Sequence, residues 1–200
     1  MSLLHQEIDS GIAAHEDWAL RRQRGLGPTR GLFVLSCMDE RVPVEEALGI
    51  APGEAHVFRN AGALATEDAI RSAMISTRLT GSREIIVLAH TECGMMLEGA
   101  EGLAERLIAE GLDLDAPPID PDLPELKLAP GCFDRWLRGF DKVEESCLRQ
   151  VEILRACPLL PRDVVVNGYV YEVESGRLRL PNRRLGERVN TTQEMKRARD

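Results

Sequence analysis

Gly31-Leu-Phe-Val-Leu-Ser-Cys-Met-Asp-Glu-Arg41 is an apolar run of buried-strand length that stops at Cys37 and carries Asp39 and Arg41 just past its end. A second run of the same design, Glu84-Ile-Ile-Val-Leu-Ala-His90, leads into Thr91-Glu-Cys-Gly94. Neither run has a charge inside it, which suits strands buried on both faces of a parallel sheet. Parallel neighbours carry their carboxyl ends to the same edge, so Cys37, His90 and Cys93 are expected to converge there.

The surrounding sequence supports a parallel α/β pattern. Pro43 suits the first turn of a short helix through Leu48, which Gly49 can close. Ala55-His-Val-Phe58 reads as a short strand leaving into Arg59-Asn-Ala-Gly62. Thr66 is a good N-cap, with Glu67 and Asp68 near the positive end of the next helix and Gly81 closing it. Strand, helix, strand, helix, strand is the order of a mostly parallel central sheet flanked by helices.

Farther out, residues 3–24 have the spacing of an amphipathic helix, ended by Gly25-Leu-Gly-Pro28. His5 and His15 lie on it without a partner at ligand spacing and read as surface histidines. Another helix is expected from Met95 to Ile108, weakened by Gly99 and Gly102. Residues 111–131, with five prolines, read as a long loop. One long helix is expected from about Phe133 to Ala156, stopped by Pro158 and Pro161. Asp163 to Val173 reads as a fourth strand, with Ser175-Gly176 turning into Arg177-Leu-Arg-Leu180. The division expected is one catalytic domain over 1–181 and a polar tail or exchanged arm over 182–200.

Two hundred residues with 44% hydrophobic and 29% charged side chains suit one globular domain. A net charge of −8 argues against nucleic acid, and no apolar stretch approaches the roughly 20 residues of a membrane span. The start lacks the pattern of a signal peptide, so a cytoplasmic location is expected. Five cysteines without dense spacing point to ligands or buried thiols rather than bridges; Cys132, Cys147 and Cys157 read as structural.

Catalytic zinc keeps three protein ligands and an open fourth position, and one His with two Cys is an established set. Cys37, His90 and Cys93 supply it, and the bland alternative is two buried cysteines beside a hydrogen-bonded histidine. Two thiolates nearly cancel the charge of Zn²⁺, so other groups must hold the reacting water and its proton. Asp39 can accept a hydrogen bond from that water while Arg41 keeps the carboxylate ionised, which makes both candidate catalytic residues. A resting state with Asp39 as fourth ligand stays open. Glu40 and Glu92 read as solvated or structural.

Cys37-Met-Asp-Glu-Arg41, Arg59-Asn-Ala-Gly62, Glu67-Asp-Ala-Ile-Arg-Ser72 and His90-Thr-Glu-Cys-Gly94 resemble the signature blocks of the β-class carbonic anhydrase superfamily. The resemblance runs from about residue 30 to 96 and resumes at Gly168-Tyr-Val-Tyr-Glu-Val173. Ala19-Leu-Arg-Arg22, Asp39-Glu-Arg-Val42, His90-Thr-Glu-Cys-Gly-Met95 and Val151-Glu-Ile-Leu-Arg155 to Pro161 more closely resemble its carbon disulfide hydrolases. The resemblance implies one Zn²⁺ per subunit on Cys37, His90 and Cys93, Asp39 and Arg41 as the dyad, and homodimers assembled into larger rings. Many members have Gly-Gly after Asn-Ala, whereas Gly62 is followed here by Ala63, which puts channel width in question.

Three functions follow as expectations. The first is hydrolysis of carbon disulfide, via carbonyl sulfide, by zinc-bound hydroxide. The second is hydration of carbon dioxide to bicarbonate, and the third a zinc-stabilised binding protein without turnover, against which the dyad counts. The partner expected is therefore a small linear triatomic molecule, with no nucleic acid and no membrane. Phe58, Gly62, Ala63, Leu64, Met95 and Met96 are candidate channel residues, since an apolar lining favours CS2 over solvated competitors. Ten acidic residues against one basic in 92–125, and eight basic against three acidic in 177–200, suggest that the tail lies on the acidic segment of a neighbouring subunit.

Overall fold

A computed structural model describes residues 25–96, 102–115, 117, 119 and 127–182. Five strands form one sheet in the order β2-β1-β3-β4-β5: β1 (Leu32–Cys37), β2 (Ala55–Asn60), β3 (Glu84–His90), β4 (Val165–Glu172) and β5 (Arg177–Arg179). β1 to β4 pair in parallel and β5 returns antiparallel on β4. Among the described residues five helices accompany them: α1 (Val44–Leu48), α2 (Glu67–Arg78), α3 (Leu103–Ala109), α4 (Phe133–Leu137) and α5 (Val143–Ala156). Among the described residues no helix is long and apolar enough to cross a membrane.

Alternation along β1 and β3 divides the core. Phe33, Leu35 and Cys37 with Ile85, Val87 and Ala89 face Ala69 and Ala73 of α2 and Val143, Cys147, Val151 and Leu154 of α5. Leu32 and Val34 with Ile86 and Leu88 face Val42, Val44, Ile50 and Tyr171 on the other side. Both faces are covered, which is why the runs have no polar period, and each fully buried Leu or Ile contributes about 1.5–3 kcal/mol. Gly168 lets α5 lie close on β4, because a Cβ there would stand 2.8 Å from Cys147 Sγ and 3.0 Å from Val151 Cγ2.

Register fixes the site. Ser36 is paired with Leu88, so Cys37 lies one residue and His90 two residues past that level, at the same edge of the sheet. β2 continues two residues beyond Phe58, pairing Arg59 with Ser36 and Asn60 with Cys37. Thr66 caps α2 through a hydrogen bond accepted from the Ala69 N–H, and Gly49 closes α1 in the left-handed conformation, both as the sequence indicates.

Other expectations need correction. The helix expected from Phe133 to Ala156 is two helices, broken at Arg138, whose left-handed backbone (φ 58) is held where its guanidinium bonds the Ala65 carbonyl and Glu67. Of the helix expected from Met95 to Ile108, the described part runs Leu103–Ala109 behind Gly102 at φ 74, Met96 bridges to Phe140, and residues 97–101 lie outside the described residues. α2 ends at Arg78 and is capped by Leu79 rather than closed by Gly81. The described parts of 111–131 contain no helix or strand. The amphipathic helix over 3–24, with His5 and His15, and the tail from 183 lie outside the described residues.

Candidate metal centre

Cys37 ends β1, His90 ends β3, and Cys93 follows in the next turn; all three are buried. Their ligand atoms lie within 4.8 Å of one another, and the two Sγ atoms are 3.9 Å apart. Tetrahedral zinc with Zn–S bonds near 2.3 Å places two sulfurs about 3.8 Å apart, so the pair already has the required span. His90 Nδ1 is 2.8 Å from the Thr91 carbonyl oxygen, which can only accept, so Nδ1 carries the proton and Nε2 keeps its lone pair. Nε2 is buried and finds no hydrogen-bond partner. A buried, unpartnered nitrogen lone pair beside two close thiols fits a soft divalent cation.

Electrostatics agree with that fit. The Cys93 hydrogen bond pulls the Cys37 thiol down against the opposing effect of burial, while the same bond and burial push Cys93 up. Like charges this close do not both ionise unless a cation lies between them. Burial works against a charged His90, but the nearby Cys37 sulfur and the Thr91 carbonyl outweigh it and its pKa is raised.

The turn after β1 carries the dyad. Arg41 donates from Nε to Asp39 Oδ1 at 3.0 Å and from Nη2 to Oδ2 at 2.9 Å, and its backbone N–H reaches Oδ1 at 3.0 Å. Those bonds hold the Asp39 carboxyl down at about 2. Asp39 Oδ2 lies 3.7 Å from His90 Nε2, beside the three-ligand group rather than within it.

Several supports are not evident from sequence spacing. Arg59 donates from Nε to the Cys37 carbonyl at 2.9 Å and from Nη2 to the Asp39 carbonyl, tying β2 to the ligand turn. The Gly62 N–H points at Cys37 Sγ, 3.4 Å away. Thr91 is anchored to the end of β4 through its N–H to the Tyr171 carbonyl and its hydroxyl to Glu174. Glu92 bonds Arg41 through its side chain at 2.9 Å and its carbonyl at 3.0 Å, so it is neither merely solvated nor unpaired. The partners are 20 to 83 residues apart in the chain, too far for a local pattern to signal.

The candidate channel residues fall in three places. Gly62 and Met95 are neighbours: a Cβ on Gly62 would stand 3.2 Å from Met95 Cβ and Cγ and from Phe140 Cε1. Met96 joins them through its bridge to Phe140, a residue the sequence does not single out for the channel. Ala63 and Leu64 are buried in the following turn, where Asn60 bonds both the N–H and the carbonyl of Leu64. Phe58 instead stacks on Phe33 and borders a cavity of about 270 Å³ whose lining includes none of Cys37, Asp39, Arg41, His90 and Cys93.

Comparison with known proteins accords with this architecture. A carbonic anhydrase family model matches residues 32–178. Carbon disulfide hydrolase of Acidithiobacillus thiooxidans is 50% identical over 194 residues, 96% of this chain and 98% of that protein. Beta-carbonic anhydrase 1 of Mycobacterium tuberculosis (strain ATCC 25618 / H37Rv) is 36% identical over 172 residues, 85% of this chain and 94% of that one. Among solved structures, the apo form of a carbon disulfide hydrolase superposes with a TM-score of 0.76 at 44% identity, covering 94% of this chain and 95% of that one. With the family match spanning Cys37, His90 and Cys93 and nearly the whole sheet, this chain belongs to the carbonic anhydrase family, in its β class.

Proposed function

We propose that this chain hydrolyses carbon disulfide, by way of carbonyl sulfide, to hydrogen sulfide and carbon dioxide, with one zinc ion per subunit on Cys37, His90 and Cys93. The observation that carries the reading is a closely spaced Cys-His-Cys donor set with the Asp39–Arg41 pair at its rim. Bound zinc supplies a Lewis acid that makes water acidic enough to act as a nucleophile near neutral pH. Asp39 stays ionised because Arg41 holds it, so Oδ2 can only accept a hydrogen bond. It thereby orients the reacting water with its proton toward the carboxylate and its lone pair toward the substrate carbon.

Gly62, Met95 and Phe140 pack together beside Cys37. CS2 hardly accepts hydrogen bonds, so an apolar wall leaves it unpenalised while disfavouring a solvated anion such as bicarbonate. Relatives named for CS2 hydrolysis, at 50% and 45% identity, support this substrate. Carbon dioxide hydration is the second reading, favoured by the mycobacterial relative, and the same donor set suits it. A panel of CS2, COS and CO2 on purified zinc-loaded protein decides between them. Sulfide from the first two with slow CO2 hydration is expected; rapid stopped-flow CO2 hydration with no sulfide from CS2 would transfer the protein to the second reading.

With this function we place a cytoplasmic protein whose homodimers build a larger homo-oligomer. The position of every proposed site residue on one sheet or in its turns supports a single catalytic domain over 1–181, followed by the tail over 182–200. Opposite charge on 92–125 and 177–200 supports docking of the tail on a neighbouring subunit. Truncation after Pro181 is expected to shrink the assembly on a sizing column, and an unchanged elution volume would remove the docking idea.

A further inference from the structure

Arg41 has more donors than Asp39 uses. Its Nε and one Nη2 hydrogen go to the Asp39 carboxylate, while Nη1 reaches Glu92 Oε2 at 2.9 Å and Nη2 also reaches the Glu92 carbonyl at 3.0 Å. Asp39 and Arg41 follow β1, whereas Glu92 sits between His90 and Cys93 in the turn after β3. One guanidinium plane therefore spans the two turns that carry the ligands. Its inner edge faces Asp39, and its outer edge is held from the opposite turn.

Glu92 also occupies a demanding position. Its φ is 53°, in the left-handed region where a side chain is disfavoured and glycine is the favoured residue. Its side chain is 59% exposed, so burial of apolar surface does not explain a glutamate there. The ion pair with Arg41 is what its carboxylate contributes. An exposed salt bridge of this kind adds little to stability, and its specific effect is on geometry. Without it, the outer edge of the guanidinium keeps one backbone acceptor and gains freedom to swing, and Asp39 follows because both of its oxygens are bonded to the same group.

We infer that Glu92 is a positioning residue: from the second ligand turn it fixes the plane of Arg41, and through Arg41 it fixes the direction of the Asp39 carboxylate. This rests on the proposed role of the dyad in turnover. The inference separates activity from folding, because replacing Glu92 by glycine relieves a backbone strain while loosening the dyad. It also separates turnover from metal binding, since Glu92 is not among the three clustered donors.

The test is a double-mutant cycle on full-length, zinc-loaded protein, using CS2 and CO2 as parallel substrates. Glu92→Ala is expected to lower kcat roughly 10-fold with zinc content unchanged, and Glu92→Gln, which keeps a side-chain oxygen acceptor, to lose about 2- to 3-fold. Glu92→Gly is expected to match the alanine variant in kcat while melting at a higher temperature. In an Arg41→Met background Glu92→Ala is expected to change kcat no further. An equal loss in that background, or loss of zinc with the side chain, would overturn the inference. A second readout needs no turnover: ¹⁵N NMR of the Arg41 guanidinium, in metal-free and zinc-loaded protein, is expected to show hindered rotation that quickens in Glu92→Ala. Unchanged rotation would overturn the positioning role even if neither substrate were turned over, which keeps its failure distinct from failure of the proposed reaction.

Discussion

Asp39 Oδ2 stands 3.7 Å from His90 Nε2, with Arg41 bonding both oxygens of the Asp39 carboxylate. Neutral amide in place of the carboxylate leaves the three clustered donors intact but presents an N–H where an acceptor is required. Asp39→Asn is accordingly expected to retain zinc and lose turnover by about 100-fold or more. Near-normal sulfide release from CS2 in that variant would show Asp39 to be a bystander.

Ala63 is buried with φ 56, a left-handed conformation that glycine adopts without the Cβ penalty. The methyl of Ala63 is kept there with the associated strain. Ala63→Gly is expected to stabilise the fold by up to about 1 kcal/mol, the upper end of that penalty offset by the added freedom of the unfolded chain. Calorimetry checks the sign, and a lower melting temperature would mean that the methyl packing outweighs the strain.

Arg179 on β5 bonds Glu144 of α5 at 2.6 Å and Glu172 of β4 at 3.0 Å, closing the far edge of the sheet. Burial opposes ionisation of Glu144, but Arg179 prevails and its carboxyl is lowered. A lowered carboxyl stabilises the fold above its unfolded pKa, about 4.3, and that stabilisation is lost as pH falls through the folded value. The advantage of wild type over Arg179→Met in urea is therefore expected to be steady above about pH 5 and to shrink below about pH 4. A difference that persists undiminished to pH 3 would refute the linkage.

The sheet and the convergence of Cys37, His90 and Cys93 were legible because two apolar runs of the same design each end on a possible metal donor, and parallel pairing leaves one place for those ends. Thr66 and Gly49 were legible for a local reason, since a cap depends on the residues next to it. The break at Arg138 was not, because the apolar spacing runs on through Phe140 and Val143 while the contacts that turn the chain come from Ala65 and Glu67. Arg59, Glu92 and Phe140 were hidden for the same reason: each acts across 20 or more residues, on a partner set by the fold rather than by spacing. Phe58 shows the converse, a residue near the motifs in sequence that borders a different cavity.

The most direct test of the account is zinc content measured beside CS2 hydrolysis in wild type, Cys37→Ser, His90→Ala and Cys93→Ser. About one zinc per chain and steady sulfide release are expected for wild type, with metal and activity lost together in each variant. Full zinc retention in any two of the three variants would contradict the assignment of the metal to these side chains.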